Sequence, residues 1–192
     1  MRYDADHKER TRELILDQAA KAIRGAGPDG VSVADVMKRA GLTHGGFYAH
    51  FESKQAMLAA AIERMFQTVR DRWAHETLDL APKRALAAYI DWYLSAAHRD
   101  HRDTGCPLAA LATDLPRMSG ECRTAFSAGA RRMTAMIDKM LTGAGIDESA
   151  GSVVAELVGA VSLARAEPDK ARSEAILASS RKAIGRRLGL RT

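Results

Sequence analysis

Between residues 32 and 51 the apolar positions form two short helical patterns with a glycine between them. Val33, Val36, Met37 and Ala40 recur at helical spacing, which predicts a helix with one buried face. Ser32 precedes it and Asp35 follows three positions on, a capping-box arrangement, while Gly41 stands where a left-handed residue ends a helix. Thr43 is placed to cap a second helix, with Leu42 and Phe47 set as a hydrophobic staple and Phe47 and Phe51 turned to the core. Two such helices joined by a tight turn make a helix-turn-helix, whose second helix can lie in a major groove.

The remaining periodicity is helical throughout, which predicts an all-α chain. Residues 8–24 place Leu14, Ile15, Gln18, Ala19, Ala22 and Ile23 on one face. A long helix from Ser53 to about residue 76 keeps Leu58, Ile62, Met65, Phe66, Val69 and Trp73 in one period. A helix from Pro82 to near His98 is apolar nearly all round, so it is expected to be buried. Cys106-Pro107 opens a short helix to about Asp114, and Ser119 caps a longer one ended by Gly143 and Gly145. Asp147 is expected to cap a helix reaching Ala166, and Pro168 to open a last one reaching Leu188. The pattern predicts a three-helix head over residues 1–52 and a helical body over residues 53–192.

Composition changes this picture little. Hydrophobic content of 46% and charged content of 28% are ordinary for a globular chain. No apolar run is long enough to span a membrane, the charged N-terminus does not read as a secretory signal, and two cysteines make no disulfide framework; a cytoplasmic protein is expected. The net charge of +5 is not evidence for nucleic acid, because residues 1–54 carry nine basic against eight acidic side chains and the surplus lies in residues 151–192. Position matters more than sum: Arg2, Lys8, Arg10, Arg12 and Lys54 can approach phosphates. Gly25, Gly27 and Gly30 fit a dinucleotide-binding spacing, but a helix rather than a strand precedes them and Pro28 interrupts them.

The run GVSVADVMKRAGLTHGGFYAHFESKQAMLAAAI resembles the TetR/AcrR transcriptional regulators, through Gly41, Gly45, Phe47, Tyr48, His50, Phe51, Ser53 and Lys54. The segments YLSAAHRD and GCPLAALATDL look like a subfamily signature in the regulatory domain. The resemblance implies that Tyr48, His50 and Lys54 hold the phosphate backbone. Gly45 and Gly46 let backbone amides approach DNA, and Thr43 and His44 project from the same end. With Ser32, these eight residues make the expected DNA-binding set. The resemblance also implies a small-molecule effector cavity within residues 55–145. Met65, Phe66, Trp92, Tyr93, Cys106, Phe126, Met133 and Met136 are its candidate lining, against the alternative that each fills an ordinary core.

Cys106 stands at a helix N-terminus behind His98, Arg99, His101 and Arg102, an arrangement that would favour a reactive thiolate, with Cys122 as a resolving thiol; the plainer reading is a buried thiol that packs. Zinc ligand spacing and catalytic motifs are missing, so no metal, cofactor or enzymatic activity is expected. Gly151, Ala155, Val158, Gly159, Ile176, Ser180 and Ile184 on the last two helices form the expected homodimer interface, because residues 149–166 are apolar over too much of their circumference for one neighbour to cover. The expected function is that of a dimeric repressor on a pseudo-palindromic double-stranded DNA operator, released by a small-molecule effector. The rival reading is a helical small-molecule carrier or enzyme that keeps the head as scaffold.

Overall fold

Between the end of the first long helix at Ala26 and the start of the next at Lys54, the chain forms the two short helices of the expected helix-turn-helix. The computed structural model describes the backbone of residues 2–190 and the side chains of residues 6–190, so the phosphate contact expected of Arg2 lies outside the described residues. The elements in order are α1 (Arg2–Ala26), α2 (Val33–Arg39), a 3-10 helix (His44–Ala49), α3 (Lys54–Glu76), α4 (Pro82–Tyr93), α5 (Ala96–Asp100), a 3-10 turn (Arg102–Thr104), α6 (Pro107–Leu111), a 3-10 turn (Leu115–Arg117), α7 (Gly120–Gly143), α8 (Ala150–Ala166) and α9 (Lys170–Arg187). Among the described residues there is no strand.

Local signals set most boundaries. The Ser53 and Ser119 hydroxyls accept the backbone N–H groups of Ala56 and Cys122 at the starts of α3 and α7. Gly41 and Gly145, at φ +72° and +67°, end α2 and α7 with paired C-terminal bonds; Leu42 N–H, for example, reaches Met37 O at 2.9 Å. Elsewhere the boundaries differ from those expected. Ser149, not Asp147, caps α8, and α9 opens at Lys170 behind an Asp169 cap, not at Pro168. On α1 the buried face takes Leu16 and Ala20 beside Ile15, Ala19 and Ile23, whereas Leu14 is 43% exposed.

The largest departure is the break after Tyr93. The helix expected to run to His98 stops there because two carbonyls at its end are claimed from outside it. His98 Nδ1 donates to Tyr93 O at 2.7 Å, and Arg181 of α9 donates to Leu94 O at 2.8 Å. Ser95 then restarts the chain as α5, its hydroxyl accepting from His98 N–H.

In the body α3 lies along α7, and α4 also packs on α7, while α8 and α9 form a hairpin. The α3–α7 crossing is close because Gly129 has no side chain: a Cβ there would fall inside the Phe66 ring. The head is joined to the body through α1. Arg64 of α3 pairs with Asp17 at 2.9 Å, and the buried Arg24 donates to the carbonyls of Asp103 (3.1 Å) and Met65 (3.5 Å). Burial lowers the Arg24 pKa to about 10, which still leaves it charged at neutral pH.

Two outcomes follow from this packing. Gly129→Ala should cost about 1–3 kcal/mol in urea unfolding, the usual range for overpacking, and Phe66→Leu in the same chain should restore part of it. His98→Ala should cost about 2–4 kcal/mol, since it orphans a buried carbonyl and the Cys106 N–H that bonds to His98 Nε2, and leaves a cavity. Burial lowers the His98 pKa from 6.5 to about 4, so between these values the unfolded imidazole binds a proton that the folded one refuses. Wild-type stability should therefore fall as pH drops through that window, and His98→Ala should lose that part of the slope.

Candidate nucleic-acid interface and regulatory core

Ser32 opens the helix-turn-helix with its hydroxyl committed to α2: it accepts from Asp35 N–H at 3.0 Å and donates to the Asp35 carboxylate at 2.7 Å. Thr43 has the extended backbone of a cap but its side chain makes no capping bond. The second helix is a six-residue 3-10 helix, not the α-helix expected. Consecutive glycines at its start carry the poorest helix propensity after proline, and the segment is too short to recover it by length.

Phe47, 1% exposed, anchors this segment, stacking with Phe51 at 5.7 Å between centroids, and Arg12 of α1 lies over the Phe51 ring at 4.8 Å. The anchor leaves the opposite side outward: Thr43, His44 and Gly45 are exposed and Tyr48 is 71% exposed. His50 and Lys54 are half-buried beside them. Gly45 is informative because a Cβ at that position would meet nothing within 4 Å. No neighbour in the chain requires glycine there. Burial lowers the His50 pKa, and the nearby charges of Lys8, Arg12 and His7 lower it further, so basic groups from α1 converge on this end of the head.

The expected effector residues are brought together, but as packed core. Met65, Phe66, Tyr93, Cys106 and Met133 are at most 2% exposed, and Trp92, Phe126 and Met136 are half-buried. Phe66 meets Phe126 edge-on at 5.5 Å. Trp73, Tyr89, Trp92, Tyr93 and His98 form a continuous aromatic cluster, tightest where His98 stacks on Trp92 at 4.3 Å. Trp73 and Tyr89 belong to this cluster although they were not among the expected lining; Tyr89 lies one turn before Trp92 and Tyr93 on α4, whereas Trp73 comes from α3, which nothing local could signal. The Trp73 indole N–H is buried without a partner, and the Tyr93 hydroxyl lies beside the Cys106 thiol without a well-formed hydrogen bond.

Cys106 takes the N-cap position of α6 as expected, but its surroundings favour the packed thiol over the reactive thiolate. The residue is fully buried, and desolvation raises its pKa; the Tyr93 hydroxyl, the Leu108 and Ala109 N–H groups and Arg24 only partly oppose this. His98 lends no charge. Its Nδ1 donates to Tyr93 O and its Nε2 accepts from Cys106 N–H at 2.9 Å, which fixes the neutral tautomer. Cys122 is also buried, with its thiol directed at Gln55 O on α3 and its pKa raised by desolvation.

On α8 and α9 the expected interface residues separate. Gly151 and Ala155 are exposed and Val158, Gly159, Ile176 and Ser180 half-buried, whereas Ile184 is 0% exposed and belongs to the protomer's own core. The outward face of α8 carries one large apolar side chain that the sequence reading missed, Leu163, 63% exposed and four residues beyond Gly159.

Comparison with known proteins bears on both halves. Residues 15–61 match the family described as bacterial regulatory proteins, tetR family, and residues 82–177 match the transcriptional regulator LmrA/YxaF-like C-terminal domain. The HTH-type transcriptional repressor NemR of Escherichia coli strain K12 is 26% identical over 134 residues, which cover 68% of this chain and 67% of NemR. The crystal structure of the reduced form of E. coli NemR aligns over 92% of this chain and 96% of that one, with a TM-score of 0.79 and 22% identity. A TetR transcriptional regulator from Chloroflexus aurantiacus aligns over 93% and 96%, with a TM-score of 0.76 and 26% identity. With an outward-facing helix-turn-helix at one end and a matching regulatory domain behind it, the chain belongs to the TetR family and is a DNA-binding transcriptional regulator, not an enzyme.

Proposed function

We propose that the chain is a repressor that binds a pseudo-palindromic operator as a homodimer and is released by a small-molecule effector, acting in the cytoplasm. Residues 1–52 read the DNA and residues 53–192 sense and dimerise. The observation that carries the DNA reading is Gly45: a position with open space around it, kept without a side chain beside an exposed His44 and Tyr48. A backbone with nothing over it can approach a phosphate or base edge, and sequence is read by the side chains next to it. Thr43 and His44 contact bases, while Gly45, Gly46, Tyr48, His50 and Lys54 meet the backbone. Ser32 contributes by holding α2 in place, because its hydroxyl is occupied by the cap.

The effector site is the aromatic cluster behind the head. Unpartnered polar atoms on Trp73 and Tyr93 support this, since buried polar groups normally find partners and a ligand would supply them. Trp92 is the half-exposed member and the natural way in. A ligand entering there displaces His98 and the segment that follows it, and Arg24 on Asp103 O carries the shift to α1. The two heads then leave the spacing of the half-sites, a population shift that needs several kcal/mol of differential affinity to be decisive.

The dimer forms through the outward stripe Gly151, Ala155, Gly159 and Leu163 of α8 with Ile176 and Ser180 of α9. Its support is an exposed Leu163 four residues from a glycine with open space above it. A two-fold copy would seat leucine against glycine on both sides, as an isologous interface allows.

In gel-shift titrations with DNA from upstream of its own coding region, Tyr48→Phe and Lys54→Ala should weaken binding to all sequences alike. His44→Ala should change preference at one operator position by roughly 1–3 kcal/mol. If none of the three alters affinity or preference, the recognition segment does not face DNA. Leu163→Arg and Gly159→Arg should sediment as folded monomers with lost operator affinity; a surviving dimer would place the interface elsewhere.

A further inference from the structure

The C-terminal end of α8 and the start of α9 face α5 and the Arg102–Thr104 turn across an open cleft of about 500 Å³. Its charged lining is Arg99, Asp100, Arg102, Arg165, Glu167 and Lys170. Two of the positive charges have partners or a structural task, and the remainder do not. Arg99 is bound by both oxygens of Asp100, at 2.7 and 3.1 Å, and its other terminal nitrogen donates to the Ser173 hydroxyl at 2.9 Å. Glu167 accepts the Asp169 N–H at 2.9 Å in the turn between the two helices.

Arg165 clamps the segment opposite, donating to the carbonyls of His98, Arg99 and Ala109 at 2.9, 3.1 and 3.3 Å. Those are neutral acceptors, so no carboxylate is bonded to it, although Asp100 nearby favours its charged form. Burial lowers its pKa, and the neighbouring Arg102 lowers it further. Among the described residues no carboxylate lies within 4.0 Å of Arg102, Arg165 or Lys170. A cation in the last turn of α8 suits the helix dipole, which accounts for Arg165 alone. Lys170 does the reverse. It opens α9, where the dipole already makes the potential positive, so it adds charge of the unfavourable sign to the same cleft. Four cations against two carboxylates, Asp100 tied to Arg99 and Glu167 engaged in the turn, leave an excess of positive charge on a concave surface that an anion would stabilise, and guanidinium geometry matches oxyanions.

We propose that this cleft is an anion site, binding a small molecule through a phosphate or carboxylate group held by Arg102, Arg165 and Lys170. It is separate from the aromatic cluster, from which it differs in chemistry: a charged, solvent-open recess against a closed apolar core.

The test is calorimetric titration of the full chain with inorganic phosphate and, in parallel, with succinate, each against sodium chloride of equal ionic strength. The site predicts saturable binding of at least one of the two above the chloride control, and the probe that binds identifies the group. Arg165→Gln removes the clamp on residues 98–109 and is set aside as a fold variant. Arg102→Gln and Lys170→Gln alter exposed side chains, and each should weaken that binding about tenfold, in line with loss of a charge-assisted bond, while leaving the melting temperature in chloride unchanged. The proposal is overturned if neither anion binds above chloride, or if both variants bind as tightly as the wild type.

Discussion

One imidazole holds two segments of the body together, and it does so only when neutral. His98 donates from Nδ1 to the carbonyl that ends α4 and accepts at Nε2 from the amide that begins α6. A protonated ring has no lone pair for the second bond, and a ring in the other tautomer has the donor and the acceptor exchanged. Burial supplies the neutrality, and the Trp92 ring stacks on the imidazole at 4.3 Å. Helix break, buried thiol and aromatic cluster thus depend on the same residue. Cys106 could not occupy its place against Tyr93 if its backbone amide were left without an acceptor in that interior.

From this point the connections run outward in two directions. Arg165 grips the carbonyls of His98, Arg99 and Ala109 from α8, and Arg99 reaches the Ser173 hydroxyl of α9, which in turn donates to Ala164 O. On the other side Arg24 of α1 holds Asp103 O. The stretch from residue 98 to residue 109 therefore touches the elements proposed to dimerise and the helix that carries the head. It is short and rich in turns, and side chains from α1 and α8 fix it alongside its own His98–Cys106 and Arg99–Asp100 bonds.

That dependence decides what could be read from the residues alone. The head was legible because its signals are local: Ser32 and Asp35 at one end of α2, Gly41 at the other, and Phe47 and Phe51 at a spacing that allows one buried face. The caps of α3 and α7 were legible for the same reason. The stop after Tyr93 was not, since it follows from Arg181, 87 positions away, taking the Leu94 carbonyl, and from His98 turning back on Tyr93. Cys106 misled because its N-cap position is visible in Pro107, whereas the burial that outweighs the helix field comes from residues distant in sequence. Ile184 and Leu163 exchange roles for a similar reason. Periodicity names an apolar face but not which part of it the protomer covers for itself.

The notch at Gly129 constrains how the body can move. The Phe66 ring sits where a side chain on α7 would be, so α3 is keyed to α7 at this level, and Cys122 meets Gln55 at the end nearer the head. Sliding one helix along the other would drive the ring against the backbone to either side. α3 begins at Lys54, immediately behind the recognition segment, and Phe66 lies about midway along it, so the two contacts fix its register from the middle to the head end. The helix that meets Tyr89 and Trp92 through Trp73 therefore runs to the head with its register against α7 held in place.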